Sequence, residues 1–200
     1  MSAAPVAIID GGGANIASLT FALERLGRTA LLTTDHDCIR RAGHVILPGV
    51  GAAGAAMARL AGAGLDRLIP QLTQPVLGIC LGLQLLYESS EEDDVRCLGV
   101  IPGRAQRFEP AADRPVPHMG WNRIQPTADS ELLAGIAPGS HAYFVHSYAL
   151  PVGAATVATA TYGREFTAVA RMRNFHATQF HPERSGPAGA AILANFLDRC

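Results

Sequence analysis

The stretch "PVLGICLGLQ", residues 75–84, places Cys80 between Gly78 and Gly82 where an unbroken apolar run gives way to helical spacing. "PVLGI" reads as a buried strand and a helix starts near Leu81, so the chain changes character within one residue. Glycines at i−2 and i+2 are what a tight strand-to-helix turn requires, because side chains flanking the bend would collide. The N-terminus of the following helix points its unpaired N–H groups and positive end at the cysteine, which favours a thiolate there. Taken alone, the decapeptide leaves two readings open: an inert cysteine on a glycine-rich bend, or a nucleophile held out for attack.

Working outward on the N-terminal side, "PVAIID" (5–10) reads as a strand closed by "GGG", and Ile16, Leu19, Leu23 and Leu26 recur at helical spacing from Asn15 to Leu26. "TALLTT" and "HVILPG" are further short apolar runs closed by turn signals, and "AAGAAMARLAGAG" (52–64) reads as helical. This βαβα rhythm predicts a largely parallel sheet covered by helices on both faces. After Glu88 the rhythm changes. "ESSEEDD" (88–94) reads as a solvated acidic loop. "HMGWNRI", "AYFVHSYAL", "ATVATATYG", "FTAVARM" and "FHATQFH" follow as antiparallel strands, and "AGAAILANFLDRC" closes the chain as a helix. With no repeat or linker, the expectation is one α/β domain over residues 1–200 with a mixed sheet.

Composition narrows the function classes. A net charge of −1 gives no electrostatic footprint for nucleic acid or an anionic membrane. The four cysteines lack CxxC spacing, so neither a zinc site nor a disulfide scaffold is expected, and no metal or cofactor is called for. The N-terminus lacks the basic residues of a signal peptide, and no apolar run approaches the roughly 18 residues of a membrane span. The expected location is the cytoplasm.

Two other stretches raise the chemical reading of Cys80. In "FHPERS" (180–185), Pro182 keeps His181 extended. Glu183 at i+2 then points the same way and can orient the imidazole. A base oriented by a carboxylate supplies the second and third parts of a triad. In "ILPGVGAAGAAM" (46–57), a strand runs into Pro48-Gly49-Val50-Gly51, a loop able to present bare backbone N–H groups to an oxyanion. It lacks the Lys-Ser/Thr of a phosphate-binding loop, and "DGGGAN" (10–15) fits the dinucleotide pattern G-x-G-x-x-G poorly.

In order, "PGVGA", "GICLGLQLL", "PHMGWN", "YFVHSY" and "QFHPERS" resemble a known family over nearly the whole chain: the glutaminase subunits of imidazole glycerol phosphate synthase, which are class I glutamine amidotransferases with a flavodoxin-like fold. The resemblance implies that Cys80 attacks the side-chain amide of L-glutamine to give a thioester, that His181 moves the protons, and that Glu183 orients His181. It puts oxyanion donors on the Leu81 N–H and the Gly49–Val50–Gly51 loop. Glutamine-holding positions fall on that loop, Gln84, His146, Ser147 and Tyr148. Ammonia would pass to a separate (β/α)₈ cyclase subunit, which converts a ribulosyl-aminoimidazole nucleotide (PRFAR) to imidazole glycerol phosphate and AICAR in histidine biosynthesis. Trp121, Asn122 and Arg184 sit where such a partner is met in a heterodimer. The chain itself has no ATP loop or second substrate domain, and ammonia released to water would mostly protonate, so an acceptor partner is required on chemical grounds as well.

The chain departs from the family pattern in three places: "DGGGAN" stands for "DYGMGN", Ala53 for an aromatic after "PGVGA", and Arg184 for a lysine. None touches the triad, although Arg184 can pair as a planar fork where lysine is a point charge. The alternatives are a class I glutaminase of another pathway, such as pyridoxal phosphate synthase, a non-catalytic module of the same fold, and a Cys hydrolase of the dienelactone type. The first expects a "GGES"-like loop in place of "PGVGA", and the second is disfavoured by the intact Cys80, His181 and Glu183.

Overall fold

The computed structural model describes residues 5–11 and 16–200; the reading of residues 12–15 within "DGGGAN" lies outside them. In chain order the elements are β1 (Val6–Ile9), α1 (Ile16–Arg25), β2 (Ala30–Thr33), α2 (His36–Arg41), β3 (His44–Gly49), α3 (Ala53–Gly62), α4 (Leu65–Leu68), β4 (Val76–Cys80) and α5 (Leu81–Leu86). There follow β5 (Tyr87–Ser90), β6 (Val95–Arg96), β7 (Ile101–Arg107), β8 (His118–Pro126), β9 (Ser140–His146), β10 (Tyr148–Ala149), β11 (Thr156–Tyr162), β12 (Arg164–Met172), β13 (Phe175–Thr178) and α6 (Gly186–Arg199).

Among the described residues, a nine-stranded sheet runs β2-β1-β3-β4-β13-β12-β11-β8-β9. The pairs β1/β2, β1/β3, β3/β4 and β4/β13 are parallel, and every pair from β13 outward to β9 is antiparallel. The expected mixed sheet is therefore present. "FHATQFH" is corrected in one respect: β13 lies antiparallel to β12 but parallel to β4, and forms the seam between the two halves.

Period-two alternation explains why the parallel strands are apolar throughout. On β1, Val6 and Ile8 enter one core cluster with α1 and α6, while Ala7 and Ile9 enter the other with α2, α3, α4 and α5. Helices thus cover both faces. Helix α2 has no apolar repeat to announce it. It is set locally by Asp35, whose Oδ1 accepts from the Cys38 N–H at 2.7 Å.

A second, four-stranded sheet runs β10-β7-β5-β6. It corrects the reading of "ESSEEDD" as a solvated loop. Residues 88–90 are strand, and the 3₁₀ turn Glu92–Asp94 places Glu92 Oε2 2.8 Å from the Ala53 N–H and Asp93 Oδ2 3.1 Å from the Gly54 N–H. Ala52, at the N-cap of α3, has no side chain for the task, so the acidic run caps this helix from a distance.

Candidate active site

The parallel strands β3, β4 and β13 are neighbours, and their carboxyl ends meet. Gly49 lies opposite Cys80 in register, and Thr178, three residues before His181, lies opposite Ile79. The carboxyl edge of a parallel sheet is where α/β folds hold ligands.

The bend at Cys80 is as tight as its glycines suggest. A Cβ on Gly78 would lie 2.8 Å from the Gly82 carbonyl oxygen, and one on Gly82 would overlap the carbonyl oxygen of Leu47. Gly49 is equally confined, because a Cβ there would lie 2.7 Å from the Gly82 nitrogen. Cys80 itself takes φ 54° and ψ −109°, outside the regions a side chain prefers, and is the N-cap of the six-residue α5. That strain throws Sγ to the sheet edge, 3.7 Å from the Val145 carbonyl oxygen and 4.0 Å from Gln179 Nε2.

His181 and Glu183 come together by a different path from the one expected. His181 is extended, but Pro182–Arg184 is a 3₁₀ turn, and it is this turn that brings Glu183 Oε1 to 2.8 Å from His181 Nδ1. Both side chains are more than nine-tenths buried. The turn is pinned to β9: the His181 N–H donates to the Tyr143 carbonyl (3.0 Å), Ser185 Oγ donates to the His181 carbonyl (2.7 Å), and the Tyr143 N–H donates to Ser185 Oγ (2.9 Å). Burial works against charge on His181. Hydrogen bonds to Cys80 and Glu183, together with the negative charge of both, outweigh it and raise the imidazole to about 10. A protonated ring facing Sγ is the counter-ion a thiolate needs. By contrast, burial pushes the Cys97 and Cys200 thiols up to about 11. Cys200 Sγ does lie 3.9 Å from His176 Nδ1, but burial lowers that ring to about 4, so it is no cationic counter-ion.

A cleft of ≈ 310 Å³ opens over the sulfur, bounded by the Gly49–Val50–Gly51 loop, Leu81, Gln84 and the segment His146–Ser147–Tyr148. Every oxyanion and substrate position expected from the sequence therefore lies on one cleft with Cys80 and His181. Gln84 is buried, its Nε2 donating to the Tyr148 carbonyl at 2.9 Å and to Gln179 Oε1 at 3.2 Å. His146 lines the cleft with both ring nitrogens engaged within the protein, Nε2 by His118 and Nδ1 by the Tyr148 carbonyl. Sequence reasoning missed two residues. Glu92 lines the cleft as well as capping α3, and Gln179 bridges Gln84 to the sulfur. No local signal marks Glu92, because its helix partner is 39 residues away.

Of the three residues expected at a partner face, Trp121 and Arg184 are together on the surface beside the His181 turn, and Asn122 is not with them. Trp121 is 57% exposed with its ring edge on Tyr143, and the Arg184 guanidinium lies over the same ring, 4.4 Å from its centroid. Asn122 is half-buried and bonded inward, to the Thr161 carbonyl and His118.

Comparison with known proteins agrees with this geometry. The family described as glutamine amidotransferase class-I matches residues 7–200. The imidazole glycerol phosphate synthase subunit HisH of Xylella fastidiosa (strain Temecula1) is 52% identical over 193 residues, 96% of each chain. The subunit of the same name from Xanthomonas campestris pv. campestris (strain 8004) is 53% identical over the same share. Among solved structures, a putative GMP synthase subunit from Thermoplasma acidophilum superposes with a TM-score of 0.74 at 18% identity, covering 98% of this chain and 94% of that one. PurLQS from Thermotoga maritima gives 0.73 at 16% identity and 98% of both chains, so the fold is shared well beyond close relatives. The chain belongs to the class I glutamine amidotransferases, in the family of the HisH subunits of imidazole glycerol phosphate synthase.

Proposed function

We infer that this chain is the glutaminase subunit of an imidazole glycerol phosphate synthase. It hydrolyses glutamine at Cys80 and hands the ammonia to a separate cyclase subunit that makes imidazole glycerol phosphate and AICAR from PRFAR in histidine biosynthesis. The observation that carries this reading is the convergence of a strained Cys80 with a carboxylate-held, protonatable His181 under a cleft of ≈ 310 Å³, about the size of a small amino acid's site.

In this reading the steps follow the layout of the cleft. Sγ attacks the side-chain amide carbon, and the amide oxygen becomes an oxyanion facing the Leu81 N–H and the Gly49–Gly51 loop. His181, holding the thiol proton, gives it to the amide nitrogen as the C–N bond breaks, and ammonia leaves a γ-glutamyl thioester. His181 then takes a proton from water as the water attacks the thioester. The C–S bond breaks, glutamate departs and the thiol is restored. Glu183 fixes the ring so that Nε2 faces the reacting atoms. Glu92, on the cleft wall, supplies the negative charge that the substrate's α-ammonium requires. The surface of Trp121 and Arg184 faces the cyclase. A reducing cytoplasm suits a chain whose four cysteines are free thiols.

The test is Cys80→Ala in the two-subunit enzyme. Glutamine-dependent synthesis should disappear while synthesis from added ammonia persists, because only the first needs the sulfur. Mass spectrometry should place 6-diazo-5-oxo-norleucine on Cys80 of the wild type. Glutamine hydrolysis at a comparable rate by Cys80→Ala would remove the nucleophile from the reading.

A further inference from the structure

The proposed reaction makes no use of a buried histidine pair beside the cleft. His118 on β8 and His146 on β9 are directly paired in register and are 4% and 6% exposed. His118 Nδ1 lies 3.1 Å from His146 Nε2. The His118 ring is stacked between Phe144 and Tyr162, with centroids at 5.1 and 4.1 Å.

Both ends of the pair fix where its protons sit. At the outer end, Asn122 Oδ1 accepts from the Arg123 N–H (2.7 Å) and Nδ2 donates to the Thr161 carbonyl (2.9 Å), so the amide cannot be reversed. It therefore presents its NH₂ to His118 Nε2 at 3.3 Å, and that nitrogen must accept. The His118 proton is then on Nδ1 and is donated to His146 Nε2. At the inner end, His146 Nδ1 lies 2.8 Å from the Tyr148 carbonyl oxygen, which only a donor satisfies. The two ends independently demand the same tautomers. Burial supports this by lowering the pKa of the rings to about 4 and about 3, so both stay neutral.

The line does not stop at Tyr148. Its carbonyl also receives Gln84 Nε2, Gln84 bonds Gln179, and Gln179 Nε2 faces Cys80 Sγ. We propose that His118 and His146 are positioning residues for glutamine. As a neutral pair donating in one direction, from Asn122 to the Tyr148 carbonyl, they hold the Ser147–Tyr148 backbone and the Gln84 amide as the cleft presents them to substrate. The proposal rests on the glutaminase reading, and it places the outer end of the line next to Trp121, on the strand that faces the partner in that reading.

The test uses the two-subunit enzyme at saturating cyclase subunit. His118→Phe keeps the ring stack but removes the donor to His146, and should raise the KM for glutamine roughly five- to a hundredfold with kcat changed less. His118→Gln, which carries both a donor and an acceptor, should recover part of that loss. Asn122→Asp, at a half-buried surface position, should raise KM in the same way by forcing a proton onto His118 Nε2. His176→Phe, which removes another buried histidine from β13, should leave KM as it is. Nitrogen NMR of the wild type should find both rings neutral with Nδ1 protonated. A wild type that hydrolyses no glutamine overturns the function and this proposal with it. Where the wild type does hydrolyse glutamine, an unchanged KM in whichever of His118→Phe and Asn122→Asp folds overturns the proposal alone. So does a His118 protonated on Nε2 in the wild type.

Discussion

Cys80 is held in a backbone conformation that an L-residue adopts only at a cost of order 1–3 kcal/mol. The surrounding contacts maintain it: Gly78, Gly82 and Gly49 are so closely nested that the turn has nowhere to relax. The strain is separable from the chemistry. Replacing alanine by glycine inside ordinary structure costs about 1 kcal/mol. At position 80 the penalty should vanish or reverse, because glycine accepts φ near +54° without strain. Urea unfolding of Cys80→Gly should therefore show it at least as stable as Cys80→Ala. A loss of about 1 kcal/mol relative to alanine would mean the bend is unstrained.

At the scale of elements, α3 depends on an acidic turn distant in sequence. Asp93 caps the Gly54 N–H while itself sitting at φ 60°, and Glu92 both caps the Ala53 N–H and faces the cleft. Asp93→Ala should cost about 1–2 kcal/mol, since it removes a cap and leaves a side chain at positive φ. Glu92→Gln should keep the helix but raise the KM for glutamine through loss of the negative charge. Thermal unfolding and steady-state kinetics on the two variants separate these roles, and equal effects on KM would merge them. The β8/β9 pair gives a second element-scale expectation. Burial lowers His118 and His146 from 6.5 to about 4 and about 3, and the titratable groups acting on His146 are His118 and His181. The unfolded chain thus takes up protons near pH 6.5 that the folded chain refuses. Their contribution to stability is whole above that pH and falls as pH drops toward 4, by about 1.4 kcal/mol per unit for each ring. Denaturant titrations at pH 7.5 and 5.5 should show a shallower fall for His118→Phe than for the wild type.

For the whole molecule, what matters is how close the exposed Trp121 face lies to the chemistry. Arg184 is one residue beyond Glu183 and stacks on Tyr143, whose backbone anchors the His181 turn on both sides. A cyclase subunit docked on Trp121 and Arg184 would press directly on Tyr143 of β9, the strand to which the His181 turn is anchored. Val50 lies between Gly49 and a Gly51 at φ 87°, so in the proposed reaction its peptide can rotate into or out of the oxyanion position. One oxyanion donor is worth about 10²–10³ in rate, so a partner that favours the donating orientation by a few kcal/mol would act as a switch. We expect the isolated chain to hydrolyse glutamine slowly, and the complex with bound nucleotide to be faster by about that factor. An isolated chain that already runs at the full rate would exclude the switch while leaving the glutaminase intact.

Sequence by itself determined the parts of this protein whose causes are local. The elbow at Gly78-Cys80-Gly82 follows from steric limits within five residues. The parallel half follows from apolar runs of strand length closed by Gly and Pro, and the His181–Glu183 pair from a separation of two residues. Even there the local geometry differs from the expectation, because a 3₁₀ turn rather than an extended chain closes the hydrogen bond. Only the tertiary structure decided what depends on residues far apart. It made Glu92 and Asp93 caps for a helix 39 residues earlier, and set β13 parallel to β4 at the seam of the sheet. It also paired His146, an expected glutamine-holding residue that lines the cleft, with His118 on the neighbouring strand. The physical reason is common to all three. A capping carboxylate, a strand's direction relative to its neighbour and a tautomer are fixed by whichever group folding brings to the other end of the bond, and no local pattern names that group.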